Sequence, residues 1–377
     1  MNKPSIKILH LTFSMAIGGA EQVIFQIVSN SDPERFMHEV LCIDGVIGPL
    51  GQELISQGIH VESIKRNPGV DIKLVPFIHK LIKRRKINIV HGHQYTPYFY
   101  GVTGGWGTGA RVIYTEHGRF YPDRHNIKRR FINPLLALTT HWITAISKST
   151  ADAVAQYEYF SREKIKVIYN GTRDFGANSY SRDELLVELC LSADYRYIGS
   201  ISRLEPIKNQ TMMIKAFDKV KQQIPGIKLI LIGDGSKKSD LERLVKDLGY
   251  EKDIIITGYI DNPQKYIEIF EIFLLSSFSE GTSMTLLEAM SFSKPCIVTD
   301  VGGNPEVITH NVSGLVIPSD NVELFADAIL RLLTDKVLAK KYGSAGRHRF
   351  LNNFTIPIML SSYEKFYENG SSGDFVK

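Results

Sequence analysis

Cysteine is nearly absent from this chain. The three present, Cys42, Cys190 and Cys296, are odd in number and scattered without CxxC spacing. That excludes a disulfide framework and a thiolate zinc module, and fits a reducing, cytoplasmic setting. Long apolar runs are missing as well: no stretch reaches the roughly 20 residues needed to cross a bilayer. The N-terminal segment MNKPSIKILHLTFSMAIGGAE is interrupted by His10 and Thr12 and followed by no cleavage site, so it reads as a buried first strand and not as a signal peptide. Internal repeats and low-complexity tracts are lacking apart from a polar tail, NGSSGDFVK, which reads as disordered.

What is present is the balance of a globular protein: 377 residues with 43% apolar and 23% charged, enough for two cored domains. The net charge of +5 is unevenly spread. Residues 1–180 carry 22 Lys and Arg against 14 Asp and Glu, a net of +8, and the remainder carries 23 against 26, a net of −3. The basic residues concentrate in Lys80, Lys83, Arg84, Arg85 and Lys86 and again in Lys128, Arg129 and Arg130. Such runs can hold an anionic membrane surface, a polyphosphate acceptor or nucleic acid, or can simply be a solvated helix face. Nucleic acid is disfavoured, because no helix-turn-helix or zinc module occurs and aromatics do not interleave with the basic runs except at Phe120 and Tyr121.

Apolar, β-branched runs recur along the chain: IKILHLT, HEVLCI, INIVHGH, RVIYTE and HWITAI, then RYIGSIS, IKLILIG, DIIITG, EIFLLSS, KPCIVTD and GLVIP. Between them lie helical periodicities such as 22–29, 74–85, 210–222 and 322–333. Strands that are continuously apolar and separated by helices imply parallel sheets covered on both faces. Two such series predict two doubly wound α/β domains, the first over 1–175, rejoined by a C-terminal helix at 355–370, and the second over 190–352. The polar stretch 172–192 is the expected boundary. In open α/β sheets ligands bind beyond the carboxyl ends of strands, so the residues following each strand are the candidates.

After the first strand, Gly18 and Gly19 open a helix and form a phosphate-cradle candidate, though neither GxGxxG nor a P-loop; a tight strand-to-helix turn explains them equally. In the second half, GSISRLEPIKN places Arg203 and Lys208 five residues apart across a turn, where they could converge on a diphosphate or be two surface cations. Gly233, in LILIGDG, and Ile260, in ITGYIDN, follow later strands. The richest segment is SEGTSMTLLEAM. Glu280 sits in a loop, Ser283 or Thr282 can cap a helix, and Glu288 lies within that helix, so that two carboxylates can accept hydrogen bonds from a polyol while intervening N–H groups remain for phosphate. The plain alternative is one helix-dipole partner and one exposed glutamate. His91, His93 and His117 end strands and read as ordinary strand-end loop residues or acceptor-site donors before metal ligands; Ser147 and Lys148 read as a helix cap.

The order and spacing of GGAE, TEHG, VIYNGT, GSISRLEPIKN, LILIGDG, ITGYIDN, SEGTSMTLLEAM and TDVGGNPEVI closely resemble the family 4 retaining glycosyltransferases of the GT-B fold, over nearly the whole chain. The resemblance implies two Rossmann-like domains facing across a donor and acceptor cleft. It implies an NDP-sugar donor, most often UDP-linked, and no catalytic metal or other cofactor. It gives Arg203 and Lys208 the diphosphate, with Gly18 and Gly19 approaching it and Gly233 at a further loop. Glu280 takes the sugar hydroxyls, Glu288 the ribose, Ile260 the base, and backbone groups of Thr282, Ser283, Met284 and Thr285 line sugar and phosphate. His117 meets the donor sugar near the reacting carbon. Retention needs either a covalent nucleophile or a front-face reaction in which the leaving phosphate takes the acceptor's proton. No nucleophilic carboxylate stands out, so the front-face route is expected, with Arg203 and Lys208 stabilising the leaving group.

The chain departs from the commonest family form by having Gly281-Thr282-Ser283 within the loop, which leaves the sugar open. Its insert GRFYPDRHNIKRR resembles acceptor loops of exopolysaccharide and lipopolysaccharide enzymes. A glycan or polyprenyl-diphosphate-linked acceptor, and peripheral contact with an anionic membrane from the cytoplasmic side, are therefore expected. The competing hypotheses are a nucleotide-sugar 2-epimerase of the same architecture, which acts without an acceptor, and a non-catalytic subunit that has kept the fold.

Overall fold

The computed structural model describes residues 5–118, 125–176 and 180–369. It divides into two compact units, Met1–Gly171 with Ile356–Lys377, and Thr172–Thr355. The first holds strands β1 (Ile6–Thr12), β2 (Phe36–Cys42), β3 (His60–Ser63), β4 (Ile89–His93), β5 (Arg111–Glu116), β6 (Trp142–Ala145) and β7 (Ile165–Val167). The second holds β8 (Arg196–Ile201), β9 (Ile227–Ile232), β10 (Ile254–Gly258), β11 (Ile272–Leu275), β12 (Cys296–Thr299) and β13 (Leu315–Ile317). Every pairing within the two sheets is parallel.

Parallel neighbours need crossover helices, and these cover both faces, which is why the strands are apolar throughout and not alternating. In the second unit Ile198, Leu229, Leu231, Leu274 and Ile297 pack against Met213, Phe217 and Ile329 from the covering helices. In the first, Leu9, Leu11, Leu41 and Val90 pack against Ile78, Leu81 and Ile82. The C-terminal helix Ile356–Glu368 belongs to the first unit. It buries Tyr363, Phe366 and Tyr367, stacks Phe366 on Trp142 at 4.5 Å, and is capped at its end by Arg111, which donates to the Tyr367 carbonyl at 2.5 Å. No described helix is long and apolar enough to cross a membrane.

Sequence pattern and structure differ at three places. The stretch 172–192 is not only turns: helix Arg182–Glu188, capped by Ser181, buries Leu185 and Leu186, and the second unit begins at Thr172. Its apolar contribution is too short to show as a period. Strands β3 and β7 are four and three residues long and partly polar, so apolar runs do not reveal them. The basic run 80–86 has two fates. Lys80, Lys83, Arg84 and Lys86 are solvated, whereas Arg85 turns inward to Glu39 at 2.6 Å and Glu62 at 3.1 Å and ties its helix to the β2 and β3 edge.

Candidate functional site

In the second sheet the strand order is β10-β9-β8-β11-β12-β13. The chain winds one way from β8 and the other way from β11, so the crevice between their carboxyl ends is the topological switch point, where α/β sheets accept ligands. Two loops meet there. Phe278 N donates to Ile207 O at 2.8 Å, and Ser276 Oγ lies 2.9 and 3.0 Å from the carbonyls of Lys208 and Asn209. This stitching carries Lys208 to Glu280: Nζ stands 2.5 Å from Oε1, and Ser277 Oγ donates to the same oxygen at 2.6 Å. The two side chains are 18% and 8% exposed, an enclosed ion pair.

A third loop fixes Glu280 from behind. Gly303 N donates to the Glu280 carbonyl at 3.1 Å, and Thr299 Oγ1 donates to Ser277 O at 2.7 Å. Gly302 has φ +52, and a Cβ there would lie 1.9 Å from the Glu280 carbonyl oxygen, so only glycine fits. Sequence pattern does not single out Gly302 as a site residue; the paired glycines closing TDVGG are the available signal. Gly233 acts in the same way. Its φ is +142, and a Cβ would sit 2.0 Å from Ser202 O. It thus backs the loop bearing Arg203, with Leu204 N donating to Asp234 O at 2.9 Å. Arg203 itself is exposed.

Ser283 is the N-cap of helix Met284–Ser291, accepting from Leu286 N at 3.4 Å, and this settles which hydroxyl caps. Thr282 and Ser283 are buried and Met284 and Thr285 half-buried at the helix start. Glu288 is half-buried in that helix, and burial of its carboxyl pushes the pKa up to about 8, with Arg173 acting in the opposite direction. Ile260 is half-buried beyond β10, two strands from the switch point.

The first sheet, β3-β2-β1-β4-β5-β6-β7, has its switch point between β1 and β4. After β1, Gly18 is extended with φ −164 at the start of helix Gly19–Asn30, which has no side-chain cap, and a Cβ on Gly19 would meet nothing within 4 Å. After β4 and β5 the structure shows a grouping that the sequence does not: His91, His93 and His117 are joined by His10 and His38. His10 Nε2 lies 2.8 Å from His38 Nδ1, His10 Nδ1 2.9 Å from His93 Nε2, and His93 Nδ1 2.8 Å from His117 Nε2. Histidine inside an apolar strand, at alternating positions of β4 and again in β1 and β2, is the signal that could have found it. Burial favours the neutral form of all five: His38 is pushed down to about 4 and His117 to about 3, and His10, His91 and His93 are lowered first by burial and then by neighbouring imidazoles, which for His91 are His117 and His38.

His10, His91 and His93 each bring a nitrogen within 4.8 Å of the others, a spacing open to a cation. Hydrogen bonds already occupy these nitrogens, since His91 reaches Tyr367 Oη at 3.0 Å and Thr115 Oγ1 at 2.7 Å. Ser147 caps the helix that begins at Lys148, its Oγ accepting from Thr150 N at 2.9 Å. Of the insert 118–130, residues 119–124, including Phe120 and Tyr121, lie outside the described residues, as does the tail 370–377. The described part continues into helix Ile127–Ala137.

Two family models match: "Glycosyl transferases group 1" over residues 181–349 and "Glycosyltransferase Family 4" over 17–173. The chain is similar to the Escherichia coli UDP-Gal:alpha-D-GlcNAc-diphosphoundecaprenol alpha-1,3-galactosyltransferase, with 24% identity over 376 residues covering 96% of each. It is similar to the N-acetyl-alpha-D-glucosaminyl L-malate synthase of Bacillus anthracis, with 26% identity over 314 residues covering 81% of each. Its fold is similar to that of Anabaena Alr3699/HepE, solved in complex with UDP-glucose, at TM-score 0.83 and 21% identity, covering 96% of this chain and 99% of that one.

Proposed function

Because the chain belongs to the family 4, group 1 glycosyltransferases and has the GT-B fold, we propose that it transfers a sugar from a UDP-sugar to a glycan or lipid-diphosphate-linked acceptor of cell-surface polysaccharide synthesis, with retention of configuration. The observation that carries the donor assignment is the enclosed Lys208–Glu280 pair at the β8/β11 switch point. An ammonium held in a half-buried crevice is a strong partner for a diphosphate, because the low local dielectric magnifies its charge and no reorganisation is needed when charge develops on the leaving group. Arg203, exposed on the adjoining loop, adds a planar fork to the same phosphates. Glu280 then exchanges its ammonium partner for sugar hydroxyls, Glu288 accepts from the ribose, Ile260 lies against the base, and the first-turn backbone of Thr282, Ser283, Met284 and Thr285 lines sugar and phosphate. Gly18 and Gly19 leave room for the phosphates, Gly233 holds the Arg203 loop, and His117 meets the donor sugar.

The uridine carrier is supported by the UDP-Gal enzyme of Escherichia coli and by UDP-glucose bound to the Anabaena protein. A lipid-linked acceptor is supported by helix Ile127–Ala137. Ile127, Phe131, Leu135 and the following Leu138 form one stripe at helical spacing, exposed at 61, 70, 67 and 77%. Asn133 pegs the helix down, accepting from Tyr95 Oη at 2.6 Å and donating to Glu158 O at 2.7 Å, while Arg129 pairs with Glu158. Lys128 and Arg130 remain in solvent beside the stripe. An apolar stripe edged with solvated cations suits the headgroup region of an anionic bilayer.

The test is a thermal-shift screen of nucleotide sugars followed by transfer assays. UDP and UDP-sugars raise the melting temperature, and transfer requires an acceptor. Turnover of a UDP-sugar alone to its 2-epimer, or no shift with any nucleotide sugar, contradicts the proposal.

A further inference from the structure

The turn from β4 into helix Tyr95–Gly105 rests on one residue, Gln94, held at φ +67 and ψ 163. Other non-glycine residues with positive φ beside helices, Lys86, Tyr159, Asn209 and Asn262, have ψ between 31 and 52 and sit in the ordinary left-handed region. Gln94 does not. Its pair of angles is adopted almost only by glycine, and another residue kept there carries strain of the kind that clusters at binding and catalytic sites.

The surrounding chain enforces this conformation. Gln94 N donates to Thr115 O at 2.8 Å, which continues the β4 and β5 ladder, and Gln94 O accepts from Tyr98 N at 3.1 Å, which begins the helix. The helix folds back tightly on its own strand, since a Cβ on Gly92 would lie 2.4 Å from Tyr98 Cα. A sharp, strained strand-to-helix turn lifts the side chain at its apex off the sheet, as the elbow of α/β-hydrolases does for its serine. The Gln94 side chain is half-buried and makes no hydrogen bond among the described residues. The strain is therefore offset by no polar contact of that side chain within the fold, and glycine would form the same turn without it.

Gln94 stands at the carboxyl end of β4, on the switch point of the first sheet. We propose that Gln94 is a specificity-determining residue for the acceptor, its amide carbonyl accepting from one hydroxyl of the acceptor sugar and its NH2 donating to another. This rests on the reading of the chain as a transferase whose diphosphate lies in the second unit, which leaves the first unit's switch point to the sugar that receives the transfer. One amide supplies a donor and an acceptor in one plane and carries no charge, so it matches neighbouring hydroxyls without a counter-ion. A site that hydrogen-bonds a substrate hydroxyl discriminates strongly against a sugar that lacks it.

Gln94→Gly separates function from folding, because the two are expected to move in opposite directions. The variant should melt about 2–4 °C higher than the wild-type chain, relief of strain outweighing the entropy that glycine adds to the unfolded state. Its KM for the acceptor should rise about tenfold, with UDP affinity by calorimetry within about twofold. Gln94→Ala keeps the strained turn and loses the amide, so it should show the same rise in KM without the higher melting temperature. The assays use UDP-galactose and UDP-glucose as donors and synthetic sugar-diphospholipids ending in GlcNAc, GalNAc or glucose as acceptors. Wild-type acceptor KM in Gln94→Gly, a lower melting temperature in that variant, or a defect confined to UDP binding overturns the proposal alone. Absence of transfer by the wild-type chain with every donor and acceptor overturns the transferase reading and this proposal with it.

Discussion

At the β8/β11 switch point the crevice is built from a charged pair, Lys208 with Glu280, braced by glycine backbones; at β1/β4 the strands carry buried neutral imidazoles, with no carboxylate among their ring partners in the described residues. Both lie in sheets that start from the same order, third, second, first, fourth strand. Topology therefore supplies a place and side chains supply its chemistry. A crevice with a fixed ammonium suits a diphosphate, and one with uncharged donors and acceptors suits hydroxyl groups, because a buried charge without its counter-ion costs several kcal/mol.

The largest expected effect comes from removing the charged pair. Glu280→Ala should lower kcat/KM for sugar transfer by about 10²–10³, the scale seen when a preorganised group at a reacting centre is lost; a near-normal rate would dissolve the contrast between the two crevices. Next is Gly302→Ala. It forces an unfavourable φ and pushes a methyl into the Glu280 carbonyl, so kcat/KM should fall about 10-fold and stability by about 1–3 kcal/mol, read by denaturant titration.

Glu288 sharpens the comparison through pH. Its folded-state pKa near 8 stands above the ordinary 4.5. In the unfolded chain the proton leaves first, so the native state loses stability as pH rises from about 4.5 and the loss is complete above about 8. Glu288→Gln should leave stability unchanged near pH 4 and raise it by a few kcal/mol near pH 8.5, since each tenfold difference in proton affinity between the two states is about 1.4 kcal/mol. A flat difference across that range removes the buried carboxyl from the account. The smallest effect is expected outside both crevices. Phe131→Ser with Leu135→Ser should reduce co-sedimentation with phosphatidylglycerol vesicles about tenfold while turnover of a water-soluble acceptor is unchanged, since half-inserting two apolar side chains contributes about 1.5 kcal/mol of transfer free energy.

Much of the second crevice was legible in the sequence. Arg203, Lys208 and Glu280 stood after apolar strands, and parallel sheets put strand ends on one edge. What the pattern could not give was pairing across the loops: that Lys208 meets Glu280, that Gly233 and Gly302 serve neighbouring carbonyls, or that Arg85 folds onto Glu39 and Glu62. These depend on close approach between segments far apart in sequence. The imidazole row was hidden for the same reason. His10 and His38 lie inside strands that read as continuously apolar, and only the register of β1 with β2 and β4 brings them to His93.

Calorimetric titration with UDP tests the division of labour most directly. Lys208→Ala should weaken UDP binding at least tenfold, as expected for loss of a charge-assisted hydrogen bond of about 1.5–3 kcal/mol, while His93→Leu should leave the affinity within about twofold. UDP binding that survives Lys208→Ala unchanged, or that is lost in His93→Leu, would contradict the placement of the diphosphate at the β8/β11 crevice.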